Sequence, residues 1–324
     1  MVPRTVIILG ALLTALGSPL GGNVGAVGPA PQERSTRGAT FPPVAPPAAF
    51  TEVAPPPGAS TNPPADGWYR APTGDGHSVE LAVYLPATHP ISDPITVVVL
   101  HGGNGLHRSM ETLARSYAEE GFVGIAACWF DEPDALVTDY SVSCSGGPAF
   151  KGTEAAVSVD VDTVIAAAKQ VPAVDPSRIA IFGHSYGAGA ALMRAADRGA
   201  VEPIMSVGGL LARVPNCCGT RAGDRYPNDV AGAIHGPVLV AHATGDGITP
   251  VGQAEVFAAA MRDAGNPVSF PSLMRYYPAP AGHTLPYQVD ELAGTTVAAQ
   301  FLADSSAWIR LQLPVEPQTM TRFW

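Results

Sequence analysis

The sequence predicts an α/β fold: a mostly parallel central sheet of about eight strands, helices on both faces and no large cap domain. Three observations lead there. From Trp68 onward, apolar runs alternate with stretches of helical periodicity, the order that builds a parallel sheet covered on both sides. Several runs are continuously apolar and β-branched, as strands buried on both faces are. The longest intervening segments, Asp131–Lys151 and Ala212–His235, are too short for a lid of several helices.

VELAVYLP (Val79–Pro86) alternates like an antiparallel strand, and ITVVVL (Ile95–Leu100) is an unbroken β-branched run. Helical spacing fills Met110–Glu120 and stops at Gly121, before the strand FVGIAACWF (Phe122–Phe130). Thr153–Gln170 predicts a helix with Ala156, Val159, Val164 and Ala167 available for burial. RIAIFG (Arg178–Gly183) is a strand, followed by a helix of small residues over Ala188–Ala196. Two more strands lie in PIMSVGGLL (Pro203–Leu211) and PVLVAHA (Pro237–Ala243). Ala254, Phe257, Ala258 and Met261 fall at i, i+3, i+4 and i+7, an amphipathic helix. A last strand spans Ser269–Tyr277, and a final helix carries Leu292, Val297, Phe301 and Trp308 on one face.

Ahead of this domain, Arg4, the apolar Val6–Leu16 and the small residues Val24–Gly25–Ala26 have the order of a signal peptide over 1–26, which implies export. The apolar run is too short to span a bilayer, so no stable membrane insertion is expected after cleavage. Residues 27–66 are rich in Pro and Ala and poor in large apolar side chains, and are predicted to be a disordered linker; 67–324 is the catalytic domain. A net charge of −10 with no basic cluster excludes nucleic acid and anionic membranes as natural partners. Four cysteines in an exported chain allow two disulfides; Cys128–Cys144 closes a local loop, while a bridge between the adjacent Cys217 and Cys218 would be strained. No CxxC spacing supports zinc, and no cofactor is expected.

The chemistry gathers at strand ends, where ligands sit in open parallel sheets. GHSYG puts Ser185 just past the Arg178–Gly183 strand, with Gly183 and Gly187 making room for a sharp turn. That pattern alone recurs by chance in glycine-rich chains; its partners decide. Asp246 follows VLVAHA in TGDGITP, and His283 follows the last strand in PAGHTLP. A serine hydroxyl becomes nucleophilic when an imidazole takes its proton, and a carboxylate must orient that imidazole. Ser185, Asp246 and His283 are therefore the candidate triad, with Asp224 as rival acid. LHGGNG after the first central strand offers an oxyanion amide at Gly103, with Asn104 its competitor, and the amide of Tyr186 at the helix start is the second donor. Asn104 and Trp129 are candidate substrate contacts; Trp129 and Phe130, past a strand end, fit an acyl-pocket wall or core packing equally, and the Tyr186 ring fits a pocket border. His101 and His184 flank functional backbone and read as structural, and His242 reads as a satisfied core histidine.

The stretches VVVLHGGNG, VDPSRIAIFGHSYGAGAAL, TGDGITPV and AGHT, in this order across about 78–311, resemble the α/β-hydrolase superfamily and within it the dienelactone hydrolase-like branch. The resemblance implies the α/β-hydrolase fold and carboxylic ester hydrolysis through an acyl-enzyme, with Ser185 as nucleophile, Asp246 as acid and His283 as base. Dienelactone hydrolases proper carry cysteine where this chain has Ser185, and Gly102 stands where their oxyanion loop has an acidic residue, so dienelactone is not the implied substrate. The partners expected are small-molecule or polymeric esters. The same triad also serves acyltransferases and peptidases, and a non-catalytic binding protein on this scaffold is the remaining alternative.

Overall fold

The sheet grows outward from TVVVL, whose β-branched side chains stiffen an extended backbone and can be buried on both faces. In the computed structural model the described residues are 50–61, 64–73, 76–87, 94–130, 154–212, 225–266, 274–277, 283 and 296–314, all within the unit Ala39–Trp324. Their strands are β1 (Thr51–Val53), β2 (Gly67–Pro72), β3 (Ser78–Tyr84), β4 (Thr96–Leu100), β5 (Val123–Cys128), β6 (Ile179–His184), β7 (Ile204–Val207), β8 (Val238–Ala243) and β9 (Met274–Tyr277). The helices are α1 (Arg108–Glu119), α2 (Glu154–Ala168), α3 (Tyr186–Arg198), α4 (Gly252–Asp263) and α5 (Thr296–Gln312), with a 3₁₀ helix at Pro227–Ala233.

All nine of these strands form one sheet in the order β1-β2-β3-β5-β4-β6-β7-β8-β9. Pairing is antiparallel from β1 to β5 and parallel from β5 to β9. Alternate residues of each strand feed two cores. On one face Leu81, Val98 and Ile181 pack with Val161 of α2, Ala191 of α3 and Phe257 of α4. On the other, Val97, Ala126 and Phe182 pack with Leu113 and Tyr117 of α1 and Phe301 of α5. Each large side chain so buried contributes roughly 1.5–3 kcal/mol. This is the α/β-hydrolase architecture, with the carboxyl ends of the parallel strands along one edge.

Several expectations change. Residues 50–66 are not wholly linker: β1 pairs with β2, the Ser60 N–H donates to both oxygens of buried Glu111 (3.2 and 3.1 Å), and Arg108 Nε donates to the Gly58 carbonyl at 2.8 Å. Proline-rich chain with few large apolar groups is held here by polar clasps. In α2 it is Val161, not Val159, that faces the core. The expected leader, Cys144, Cys217, Cys218, Asp224 and Leu292 lie outside the described residues. The expected pairing of Cys128 with Cys144 therefore falls outside them as well. No helix among the described residues is long and apolar enough to cross a membrane.

Candidate active site

Ser185 sits between β6 and α3 with φ 52° and ψ −114°, the one described non-glycine residue at positive φ. Such a conformation costs of order 1–3 kcal/mol and survives only where its surroundings over-determine it. Here they do. The Ser185 N–H donates to the Val207 carbonyl (3.0 Å), and its carbonyl accepts from Gly189 (3.3 Å) and Leu210 (3.1 Å). A β-carbon on Gly183 would lie 2.5 Å from Ala188 Cα, and one on Gly187 would lie 2.5 Å from the His101 carbonyl oxygen. The small residues in the sequence are thus what lets α3 rise steeply off the strand.

The three expected residues come together. His283 Nε2 is 2.9 Å from Ser185 Oγ, and His283 Nδ1 is 2.9 Å from Asp246 Oδ2. A carboxylate only accepts, so the Asp246 contact puts the proton on Nδ1 and leaves Nε2 to face the serine hydroxyl. Asp246 is itself held tightly. Its Oδ1 accepts the N–H groups of Ile248 (2.9 Å) and Thr249 (2.8 Å), and His242 Nε2 lies 3.4 Å from Oδ2. Burial works to raise this carboxyl, but the hydrogen bonds from His242 and His283 outweigh it and hold the group well below the usual carboxylate range. Thr249 Oγ1 stands 2.9 Å from both the Gly208 carbonyl and Asp246 Oδ2, and 3.1 Å from His283 Nδ1. With one proton it donates to one of those oxygens and turns a lone pair to the imidazole N–H.

On the oxyanion side, Tyr186 is the first residue of α3, so its N–H belongs to the set the helix itself does not use. Gly103 and exposed Asn104 form the turn closed by the Gly105 N–H on the Gly102 carbonyl at 3.2 Å. That turn is pinned from below. His101 Nδ1 donates to the Gly102 carbonyl (2.9 Å), the Trp129 N–H donates to His101 Nε2 (3.4 Å), and Trp129 Nε1 donates to the His101 carbonyl (3.3 Å). Burial lowers the His101 pKa to about 4, so it stays a neutral strut. Trp129 is 1% exposed and stacks on Tyr186, ring centroids 5.7 Å apart and planes within 8°, while Phe130 meets both rings edge-on. Of the two readings open for Trp129, pocket wall and core packing, its burial and its hydrogen bond to the His101 carbonyl favour core packing.

Sequence reasoning missed Thr249. The Asp-x-x-Thr spacing, in which an aspartate side chain caps amides two and three residues on, was the available signal for Thr249. His242 is a core histidine as expected, but only half satisfied: Nε2 donates to the Thr249 carbonyl (2.6 Å) and lies beside Asp246, while its buried Nδ1 has no hydrogen-bond partner among the described residues. Among the described residues no cluster of His, Cys, Asp and Glu is arranged to hold a metal ion.

The fold is shared with solved structures at low identity. A dienelactone hydrolase-like promiscuous phosphotriesterase from metagenomic libraries is 20% identical, with 82% of this chain and 99% of that one covered and a TM-score of 0.56. A thermophilic esterase from Thermogutta terrifontis is 19% identical over 81% of this chain and 95% of its own, with a TM-score of 0.52. A puromycin-hydrolyzing peptidase from Mycobacterium tuberculosis is 19% identical, covering 75% of this chain but 39% of its own, with a TM-score of 0.54. No curated protein matches the sequence. Residues 82–293, which run from β3 through Asp246 and His283, match the dienelactone hydrolase family. Sheet order, elbow and matched span agree, and the chain is a hydrolase belonging to the dienelactone hydrolase family.

Proposed function

We propose that the protein is a secreted serine esterase that cleaves carboxylic esters through an acyl-enzyme. The observation that carries this reading is the continuous relay Ser185 Oγ–His283 Nε2, His283 Nδ1–Asp246 Oδ2, each link 2.9 Å. As Ser185 Oγ attacks the ester carbonyl carbon, its proton passes to His283 Nε2, and Asp246 stabilises the imidazolium. The negative oxygen of the tetrahedral intermediate is received by the amides of Gly103 and Tyr186, aided by the positive end of the α3 dipole. His283 then returns the proton to the departing alkoxide oxygen, leaving Ser185 acylated. Water, deprotonated by the same nitrogen, releases the carboxylic acid and restores the serine.

A panel of p-nitrophenyl esters and a fluorophosphonate label, applied to the wild type and Ser185→Ala, tests the reading. Ester turnover and labelling that vanish together in Ser185→Ala are the expected result. A wild type that neither turns over esters nor labels leaves the non-catalytic binding protein standing. Including a p-nitroanilide and an alcohol acceptor separates esterase from peptidase and acyltransferase. Export is checked by the mass of the protein recovered outside the cell, which cleavage after residue 26 fixes.

A further inference from the structure

His283 belongs to the connection between β9 and α5, so its place over β6 has to be fixed by contacts other than its own strand. One such contact reaches its main chain. His184 Nε2 lies 2.7 Å from the His283 carbonyl oxygen, and because a carbonyl accepts, Nε2 carries the proton. His184 continues the alternation of Ala180 and Phe182, which face the core shared with α5. Its ring therefore leaves β6 on the α5 side, and its centroid is 4.9 Å from that of the His283 ring. The other edge of the ring is fixed as well: a β-carbon on Gly102 would come within 3.0 Å of His184 Nδ1 and of Ser185 Cβ. The dipeptide His184–Ser185 thus stands between the oxyanion turn and the base.

We propose that His184 is a positioning residue for the base: its Nε2–H holds the main-chain carbonyl of His283 so that the imidazole of His283 meets Ser185 Oγ. This rests on the reading of Ser185 and His283 as nucleophile and base. Burial suits the role, since His184 is 2% exposed. Burial first, and the nearby His283 second, lower its pKa to about 3, so the donor stays a neutral imidazole while the base cycles between charge states. A core histidine that only filled space would need neither the donor nor its aim at this one carbonyl.

The test compares wild type with His184→Gln, His184→Asn and His184→Phe. Glutamine carries an amide N–H near the position of Nε2, asparagine near that of Nδ1, and phenylalanine fills the space without a donor. Measurements are kcat and KM on p-nitrophenyl acetate, the second-order rate of fluorophosphonate labelling, and Tm. His184→Phe and His184→Asn are expected to lose about 10- to 100-fold in kcat and in labelling rate, with KM changed less than about threefold, as misplacement of a reacting group by a fraction of an ångström implies. His184→Gln is expected to recover to within about fivefold of wild type. Wild-type kcat in His184→Phe overturns the proposal. Should His184→Phe fail to fold, equal losses in His184→Gln and His184→Asn overturn it instead. A wild type that does not label sinks the reading of the triad, and is seen before any variant is compared.

Discussion

Gly187 is the tightest test of how the elbow is built. It is the second residue of α3, not at positive φ, so alanine suits its backbone and would by propensity favour the helix by up to about 1 kcal/mol. The steric term opposes that. The new β-carbon would lie 2.5 Å from the His101 carbonyl oxygen and 2.7 Å from that of Leu100, where ordinary contact begins at 3.4 Å. Either α3 or the chain between β4 and the oxyanion turn must yield by about 0.9 Å at the closer contact, and both obstacles are backbone rather than flexible side chain. Overpacking of this kind costs about 1–3 kcal/mol, which in a domain of this size lowers Tm by roughly 2–12 °C. The displaced segment carries the expected oxyanion amide, and a shift approaching 1 Å there costs on the order of 100-fold in kcat/KM.

Gly187→Ala should therefore lose activity far beyond its loss of stability at the assay temperature. Differential scanning fluorimetry gives Tm, and p-nitrophenyl acetate kinetics give kcat/KM. Gly252→Ala, where nothing lies within 4 Å of the added carbon, is the matched control and should stay within about 0.5 kcal/mol of wild type. A Gly187→Ala protein with wild-type Tm and kcat/KM would refute the argument that the carbonyls of His101 and Leu100 press on the elbow.

Asp246→Asn keeps an acceptor for the Ile248 and Thr249 amides but replaces the oxygen facing His283 with a donor or a neutral acceptor, so kcat should fall about 10³- to 10⁴-fold with Tm little changed; Asp224→Asn, near wild type in the same assay, completes the assignment, and the reverse pattern makes Asp224 the acid. Stability should fall on acidification: His101 and His184 have folded pKa values lowered to about 4 and about 3, so the unfolded chain binds protons the native state refuses. Their contribution is complete above about pH 6.5 and is lost as pH drops towards 4, at roughly 2–3 kcal/mol per pH unit near pH 5, while Glu111, whose pKa burial raises, pulls the other way. Urea unfolding at pH 7.5, 6 and 5 measures the slope; a flat profile contradicts the neutral-strut description of the two histidines.

What could be read in advance follows a physical line. Ile95–Leu100 and Arg178–Gly183 announce themselves because a strand buried on both faces must be apolar throughout. Ser185 and Asp246 are legible because each falls just past such a run, and His283 because it follows the last predicted strand. β1 is hidden in proline-rich chain, since its three residues are held by pairing with β2. β2 is masked by its polar cross-strand pair, Arg70 with the buried Glu80. Contacts to main-chain carbonyls are invisible in side-chain patterns, which is why His184 and Thr249 looked ordinary. Trp129 at a strand end was compatible with pocket or core, and only packing against Tyr186 and Phe130 decided it.

The spacing of the sheet suits the proposed acid, Asp246, at the end of β8. Adjacent strands lie about 4.8 Å apart, so the ends of β6 and β8, with β7 between them, are separated by about 10 Å. The relay from Ser185 Oγ through the imidazole to Asp246 Oδ2, two 2.9 Å hydrogen bonds and a ring, spans about 8 Å. The end of β7 passes beneath it: a β-carbon on Gly208 would lie 3.4 Å from Asp246 Oδ2 and 3.5 Å from His283 Nδ1, and Thr249 Oγ1 stands 2.9 Å from the Gly208 carbonyl. The base has farther to come. The end of β9 is three strand spacings, about 14 Å, from the end of β6, beyond the reach of an imidazole side chain, so the backbone at His283 must itself return toward Ser185. A main chain brought that far needs an anchor where it arrives, and the hydrogen bond from His184, the residue next to the nucleophile, supplies one.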